Sequence, residues 1–149
     1  MTEKIKKAKT MFIDGVITPD FIADRITSHA SMPAIGAHQI FLGQIRADEV
    51  EGSKVKSIDF TANKALANEL YVEYRERLFT DYNINCLHVY HSLGEIKAGE
   101  INLFVFVSAA HRHDAIKSCA ALVEWIKTEV PVWGKVNLEN EDIAWKNNK

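Results

Sequence analysis

The stretch that decides the fold runs from residue 108 to residue 135 and reads SAAHRHDAIKSCAALVEWIKTEVPVWGK. Apolar side chains recur in it every three or four residues, which is the spacing of a helix with one buried face. Those side chains are Ala115, Ile116, Cys119, Leu122, Val123 and Ile126. Lys127 falls in the last predicted turn, and Pro131 ends the helix because proline cannot continue it. We therefore predict an amphipathic helix, followed by a short segment, 132–135, that turns back.

Each end of this helix carries basic groups, but the two ends cannot serve one small ligand within a single chain. Arg112 and Lys127 are fifteen residues apart, or about 22 Å at a rise of 1.5 Å per residue. Lys127 and Lys135 can converge, because Pro131 and Gly134 allow the chain to fold back. Arg112 could join them only from a second copy of the chain, across a two-fold axis. For any one of these residues alone, a solvated charge at a helix end is the simpler interpretation.

Composition and charge indicate an ordinary globular protein. At 149 residues the chain, 1–149, has the length of one domain, and its 47% apolar and 26% charged residues are typical of that class. The net charge of −2 gives no reason to expect nucleic acid or an acidic membrane surface as a partner. Any anion site must therefore be a local cluster.

The sequence favours neither a secretory signal nor a membrane-spanning segment. Residues 1–10 carry four lysines and no apolar segment, so we expect a flexible tail and not a secretory signal. No apolar run approaches the roughly 20 residues that cross a bilayer. Cys86 and Cys119 lie in apolar runs, away from turns and positive clusters. That placement favours reduced, buried thiols in the cytoplasm over a disulfide or a catalytic cysteine.

The remaining elements predict an α+β domain with mostly antiparallel strand pairs. A helix begins at Thr18-Pro19-Asp20, which supply an N-cap, a first-position proline and an early acid. The predicted strands cover 11–16, 37–46, 55–60, 86–91 and 101–108, with a polar loop at 47–54; the predicted helices cover about 18–29, 63–80 and 111–128. In the second helix, Leu66, Leu70, Tyr74 and Leu78 form the expected apolar stripe.

The six histidines do not predict a metal site. His88 and His91 are three apart on a strand, so their side chains point to opposite faces. His111 and His113 lie about 200° apart around a helix axis. The CxxC, HExxH, G-x-S-x-G and P-loop motifs are also absent from the sequence. We therefore predict no metal, no serine-hydrolase chemistry and no nucleotide site.

Several short motifs follow one another in a fixed order. They are Phe41-Leu42-Gly43-Gln44-Ile45-Arg46 with Gly52 in the loop after it, His91…Leu93-Gly94-Glu95, Gly99-Glu100, Ser108…His111-Arg112, and Lys127…Pro131-Val132-Trp133…Lys135. In this order and spacing the chain resembles the large, catalytic subunit of molybdopterin synthase, the MoaE family, over about residues 11–145. The family's fold is an α/β hammerhead with an additional small sheet.

The resemblance implies a sulfurtransferase of molybdenum cofactor biosynthesis. Such an enzyme converts cyclic pyranopterin monophosphate into molybdopterin by installing two sulfurs as a dithiolene. The sulfur arrives as a thiocarboxylate on the C-terminal Gly-Gly of a small ubiquitin-fold carrier, whose tail enters a pocket of the large subunit. The implied assembly is a homodimer with one carrier at each end, a heterotetramer, and the large subunit needs no metal or redox cofactor.

The resemblance also implies roles for particular residues. Lys127 would be the general acid and base, assisted by Lys135. The implied substrate-binding residues are Arg46, Gln44, Phe41, Gly134, and, across the dimer, His111 and Arg112. From the residues alone, Arg46 is equally well a surface partner of Asp48 or Glu49, and Lys127 a partner of the helix dipole.

Four positions depart from the family's pattern. The family's lysine directly after the tryptophan is Gly134 here, so we hypothesise that Lys135 replaces it. Ser92 stands in place of an arginine, and Thr61 and Asn63 in place of a glutamate and a tyrosine. Two alternatives stay open: a non-catalytic dimeric module that binds a Gly-Gly-tailed partner, and an oligomeric scaffold whose helix-end charges are only solvated.

Overall fold

The computed structural model describes residues 10–146, which form eight strands and three helices. The elements are β1 (Phe12–Asp14), α1 (Pro19–Thr27), β2 (Ala37–Gln44), β3 (Glu49–Val50), β4 (Ser53–Ala62), α2 (Lys64–Asp81), β5 (Cys86–Lys97), β6 (Ile101–Ala109), α3 (Arg112–Glu129), β7 (Val132–Leu138) and β8 (Ile143–Trp145). The flexible tail expected at residues 1–10 lies, apart from Thr10, outside the described residues.

The strands form a mostly antiparallel sheet in the order β2-β6-β5-β4-β7-β8, with β1 added parallel to β5 and β3 paired with β4. Strand β5 joins two parts of this sheet. Its first part, 86–91, pairs with β6, and its second, 94–97, pairs with β4. Gly94 lies at the change of partner with φ of 94°, a value that favours glycine. The predicted α+β class with a mostly antiparallel sheet is confirmed.

The core explains the unbroken apolar run of β6. Leu103 and Val105 face α2 and α3 in the largest buried cluster. Phe104 and Phe106 point to the other face, where residues of α1 cover them. Because β6 is buried on both faces, its sequence is apolar without alternation. The helices cover both faces of β6. The residues of β4 and β7 pack in a smaller, separate buried cluster.

The helix starts agree with the sequence, but the buried faces differ in detail. Thr18 Oγ1 accepts the N–H of Phe21 at 3.1 Å, and so caps α1. In α2 the predicted stripe is wrong at its first turn, because Leu66 is 42% exposed and Ala67 is buried instead. In α3 the predicted burial of Ile116 is also wrong, because Ile116 is 49% exposed, whereas its neighbour Ala115 and Ser118 are buried.

Two short strands were not expected. Residues 47–54 contain β3 and the start of β4, joined at Glu51 and Gly52, which both have positive φ, 48° and 85°. That combination is typical of a tight two-residue hairpin turn. Strand β8 pairs with β7, so the chain folds back once more after Leu138. Within residues 10–146, none of the helices is both long and apolar enough to span a bilayer.

Candidate functional site

A cavity of about 600 Å³ opens at the C-terminal end of α3. Lys127, in the last turn of that helix, lines it together with Asn102 of β6. The other polar and aromatic wall residues are Phe41, Gln44, Arg46, Asp48, Trp145 and Lys146. The structure therefore brings together four of the residues predicted from sequence, namely Phe41, Gln44, Arg46 and Lys127.

A narrow pocket of about 20 Å³ adjoins this cavity and shares Asn102, Lys127 and Lys146 with it. Its further walls include His91 and Gly134. Gly134 was predicted to bind substrate, and the structure places it at this pocket beside Lys127. The two spaces together form a wide chamber with a constricted extension at the lysines.

The electrostatic environment of Lys127 disfavours its charged form. Partial burial is the larger of two causes that lower the pKa of Lys127, and the positive charge of Lys146 is the other. The pKa of Lys146 is lowered too, by burial and then by the charge of Arg46, while Asp48 opposes this. A lysine whose charged form is disfavoured by burial and by a second amine in the same cavity releases its proton more readily, which suits it to proton transfer.

His91 is buried against these lysines and is neutral at pH 7. Its Nδ1 lies 2.8 Å from the carbonyl oxygen of Ser92, which can only accept, so Nδ1 carries the hydrogen. Burial lowers the pKa of His91 to about 4, and the charges of Lys127 and Lys146 act in the same direction. Sequence reasoning used His91 as a motif residue and rejected it as a metal ligand; its burial beside the lysines is a tertiary feature.

Arg46 forms the surface ion pair that its sequence neighbours suggested, and its role in substrate binding stays a prediction. Its guanidinium lies 3.1 Å from a carboxylate oxygen of Asp48, and its side chain is 79% exposed. Arg46 also lines the mouth of the 600 Å³ cavity. An exposed ion pair of this kind contributes little to stability, so the arginine can turn to an anion without a large cost.

The prediction that Lys135 converges with Lys127 is wrong. Neighbouring residues on a strand point to opposite faces, and the cavity face of β7 is the one that carries Gly134 and Val136. Lys135 lies on the other face and lines neither of the two spaces beside Lys127. Pro131 does let the chain turn back, but the pleat of β7 directs this side chain away.

His111 and Arg112 lie at the far end of α3, where they line an open depression of about 380 Å³ with His113, Ile116 and Lys117. His111 is the N-cap residue and its side chain makes no capping hydrogen bond. Within one chain these residues do not reach the cavity of Lys127, as their fifteen-residue separation predicts. Their role across a dimer stays a prediction.

Three side chains of types that can ligate a metal come together, two of them on the opposite face of β5 from His91. Among residues 10–146, the ligand atoms of His29, Cys86 and His88 fall within 4.8 Å of one another. Nδ1 of His29 lies 2.8 Å from the carbonyl oxygen of Arg25, and the Nε2 atoms of His29 and His88 are 3.2 Å apart. Zinc accepts such ligands. Sequence spacing missed this set because His29 is distant in the chain.

The part of the chain from α1 to α3 matches a known protein family. The family model described as "MoaE protein" matches residues 16–129, well over half of the chain. The chain belongs to the MoaE family. The motifs around Arg46, His91 and Lys127 lie within the match, whereas β7, β8 and Lys146 lie beyond it.

Two relatives of this MoaE family member are named molybdopterin synthase catalytic subunit. The Pyrococcus abyssi protein is 32% identical over 126 residues, which cover 85% of this chain and 84% of that protein. The Drosophila willistoni protein is 34% identical over 123 residues, which cover 78% of this chain. The chain spans only 32% of the length of the Drosophila protein.

The fold of this MoaE chain is shared with a solved complex of subunits 1 and 2 of the molybdopterin-converting factor from Helicobacter pylori 26695. The superposition has a TM-score of 0.77 at 18% identity and covers 91% of this chain and 88% of that one. At this identity the likeness shows the fold, and it confirms the fold class implied by the sequence motifs.

Proposed function

We propose that this chain is a sulfurtransferase that converts cyclic pyranopterin monophosphate into molybdopterin in molybdenum cofactor biosynthesis. The observation that carries the proposal is the cavity in which Lys127 lies with Phe41, Gln44 and Arg46. Membership of the MoaE family supports it, because relatives in that family are named catalytic subunits of molybdopterin synthase. The cavity volume of about 600 Å³ lies within the range of small-molecule sites.

Lys127 is the proposed general acid and base. Proton transfer at neutral pH needs an amine that can lose its proton, and burial together with the neighbouring charge of Lys146 lowers the pKa of Lys127 in that direction. Arg46 is the proposed contact for the substrate phosphate, since a guanidinium can bind two phosphate oxygens at once. Gln44 and Phe41 would orient and pack against the pterin. Gly134 would leave the narrow pocket open.

His111 and Arg112 are proposed to complete the site from a second copy of the chain. They lie at the opposite end of α3 from Lys127, in an open basic depression. A two-fold axis that brings this end of one helix to the lysine end of the other would add two cationic groups to each cavity. The net charge of −2 means that a site for a phosphorylated substrate must gather cations locally in this manner.

The proposed partner is a small ubiquitin-fold carrier with a C-terminal Gly-Gly thiocarboxylate. An extended glycine tail is narrow enough to reach Lys127 through the 600 Å³ cavity; the pocket beside it, of about 20 Å³, has room for about one water. The Helicobacter pylori structure is itself a complex of two subunits of the molybdopterin-converting factor. We propose a heterotetramer of two such chains and two carriers, located in the cytoplasm, acting without a metal or redox cofactor.

The test is turnover of cyclic pyranopterin monophosphate with thiocarboxylated carrier, followed by detection of the dithiolene product. Product formation that depends on both components is expected. Capture of a Gly-Gly-tailed carrier without turnover would instead establish a non-catalytic binding module. A failure to bind the carrier at all would leave the solvated-scaffold interpretation.

A further inference from the structure

We propose that Lys146 supplies the second lysine of this active site, at the place where a side chain on residue 134 would otherwise lie. The inference rests on the proposed function for its chemical meaning, but the placement of the two lysines stands on the geometry alone. Position 134 is a glycine, and the lysine that follows it, Lys135, points away from the cavity. The chain therefore needs another source for a second amine.

Strand pairing places Lys146 opposite Gly134. In the antiparallel ladder of β7 and β8, Lys135 faces Trp145 and Val136 faces Ala144. The same register continues one step further, where the N–H of Lys146 donates to the carbonyl oxygen of Gly134 at 2.8 Å. Residues directly opposite each other in such a ladder direct their side chains to the same face. Lys146 is thus aimed at the cavity face of β7.

Gly134 is what makes room for this side chain. A β-carbon added at Gly134 would lie 3.2 Å from Cβ of Lys146, 2.8 Å from Cγ2 of Ile58 and 3.2 Å from Cε1 of Phe60. All three distances are shorter than ordinary carbon–carbon contacts, which begin near 3.5 Å. A side chain at position 134 would therefore require Ile58 to shift, and Phe60 and Lys146 to move by a few tenths of an ångström.

The amines of Lys127 and Lys146 lie at the same cavity. Lys127 and Lys146 both line the 600 Å³ cavity and both line the narrow pocket beside it. Lys146 is also one of the groups that lower the pKa of Lys127, after burial. Its own pKa is lowered by burial and by Arg46, which connects it to the phosphate end of the cavity. Lys146 therefore has two consequences: it adds positive charge for an anionic substrate, and it keeps Lys127 ready to release a proton.

The decisive comparison is between Lys146→Met and Lys135→Met, in the complex with thiocarboxylated carrier. Both variants remove one amine from adjacent strands and keep a side chain of similar length. We expect Lys146→Met to lower turnover by at least about tenfold, and Lys135→Met to stay within about twofold of the wild type. A Lys146→Arg variant should recover part of the loss, because arginine restores the positive charge. The reverse pattern, with Lys135 sensitive and Lys146 not, would overturn the inference.

A measurement without substrate separates this inference from the proposed function. In protein with carbon-13 dimethylated lysines, the signal of Lys127, assigned with Lys127→Arg, should titrate at higher pH in Lys146→Met than in the wild type. The shift is expected because one neighbouring positive charge is removed. An unchanged Lys127 titration would refute the pairing even if turnover is observed. A shifted titration without any turnover would support the pairing and refute the proposed function.

Discussion

Acid should destabilise this protein through His91, by an amount that follows from its burial. The pKa of His91 is lowered from 6.5 to about 4 in the folded chain, so the unfolded chain binds more protons between these two values. The stability contributed by a neutral, buried His91 is therefore complete above pH 6.5 and is lost as the pH falls towards 4. The full shift corresponds to roughly 3 kcal/mol, of which about 2 kcal/mol is lost between pH 7 and pH 4.5.

Urea unfolding at pH 7 and pH 4.5 measures this loss in the wild type and in His91→Gln. Glutamine does not titrate in this range, so the free energy of unfolding of the variant should fall by about 2 kcal/mol less on acidification than that of the wild type. Comparing the two changes cancels the titration of carboxylates and any uniform effect of the substitution. Equal changes in both proteins would mean that His91 is charged or solvated in the folded state, and the electrostatic account of the site would fail.

Three further predictions test the site and its framework. Lys127→Ala should lower the single-turnover rate constant by about 10²- to 10⁴-fold, as expected for loss of a general acid and base. Lys56→Ala, which removes an exposed ion pair, should leave that rate constant unchanged. Arg112→Ala and Lys127→Ala should each be inactive alone. Mixed dimers formed from equal amounts of the two variants should recover about a quarter of wild-type activity, because half of the dimers then contain one intact site of two. No recovery would argue against a shared site. Gly36→Ala should destabilise the fold by roughly 1–3 kcal/mol in thermal unfolding, since its β-carbon would lie 2.3 Å from the carbonyl oxygen of Ala110; an unchanged Tm would contradict that contact.

Helix ends and the apolar runs of central strands could be predicted well, because their signals are local. The cap at Thr18 depends on a residue three positions later, and the burial of β6 follows from its continuous apolar sequence. The predicted buried faces of the helices were wrong at Leu66, whose neighbour Ala67 is buried instead, and at Ile116, which is exposed beside the buried Ala115. A shift of one residue turns a side chain by only 100°, so periodicity alone does not settle which of two neighbours packs inward.

The candidate site shows a similar division. Phe41 and Gln44 lie on β2, Arg46 follows that strand by two residues and Lys127 lies on α3, and motif order was enough to nominate them. Lys135 was predicted to join Lys127 because it follows Gly134 in the sequence, but its side chain lies on the other face of β7. Adjacent residues on a strand face opposite ways, so nearness in sequence was misleading at the one position where it was used.

The amino-acid sequence by itself determined the α+β class, the family motifs and the amphipathic helix that carries basic groups at both ends, because hydrophobic periodicity and capping act over a few residues. Only the tertiary structure decided that Lys146 stands opposite Gly134, that His91 is buried beside two lysines, and that His29 meets Cys86 and His88. These contacts join residues far apart in the chain, and their positions depend on strand register and pleat, which no local pattern encodes.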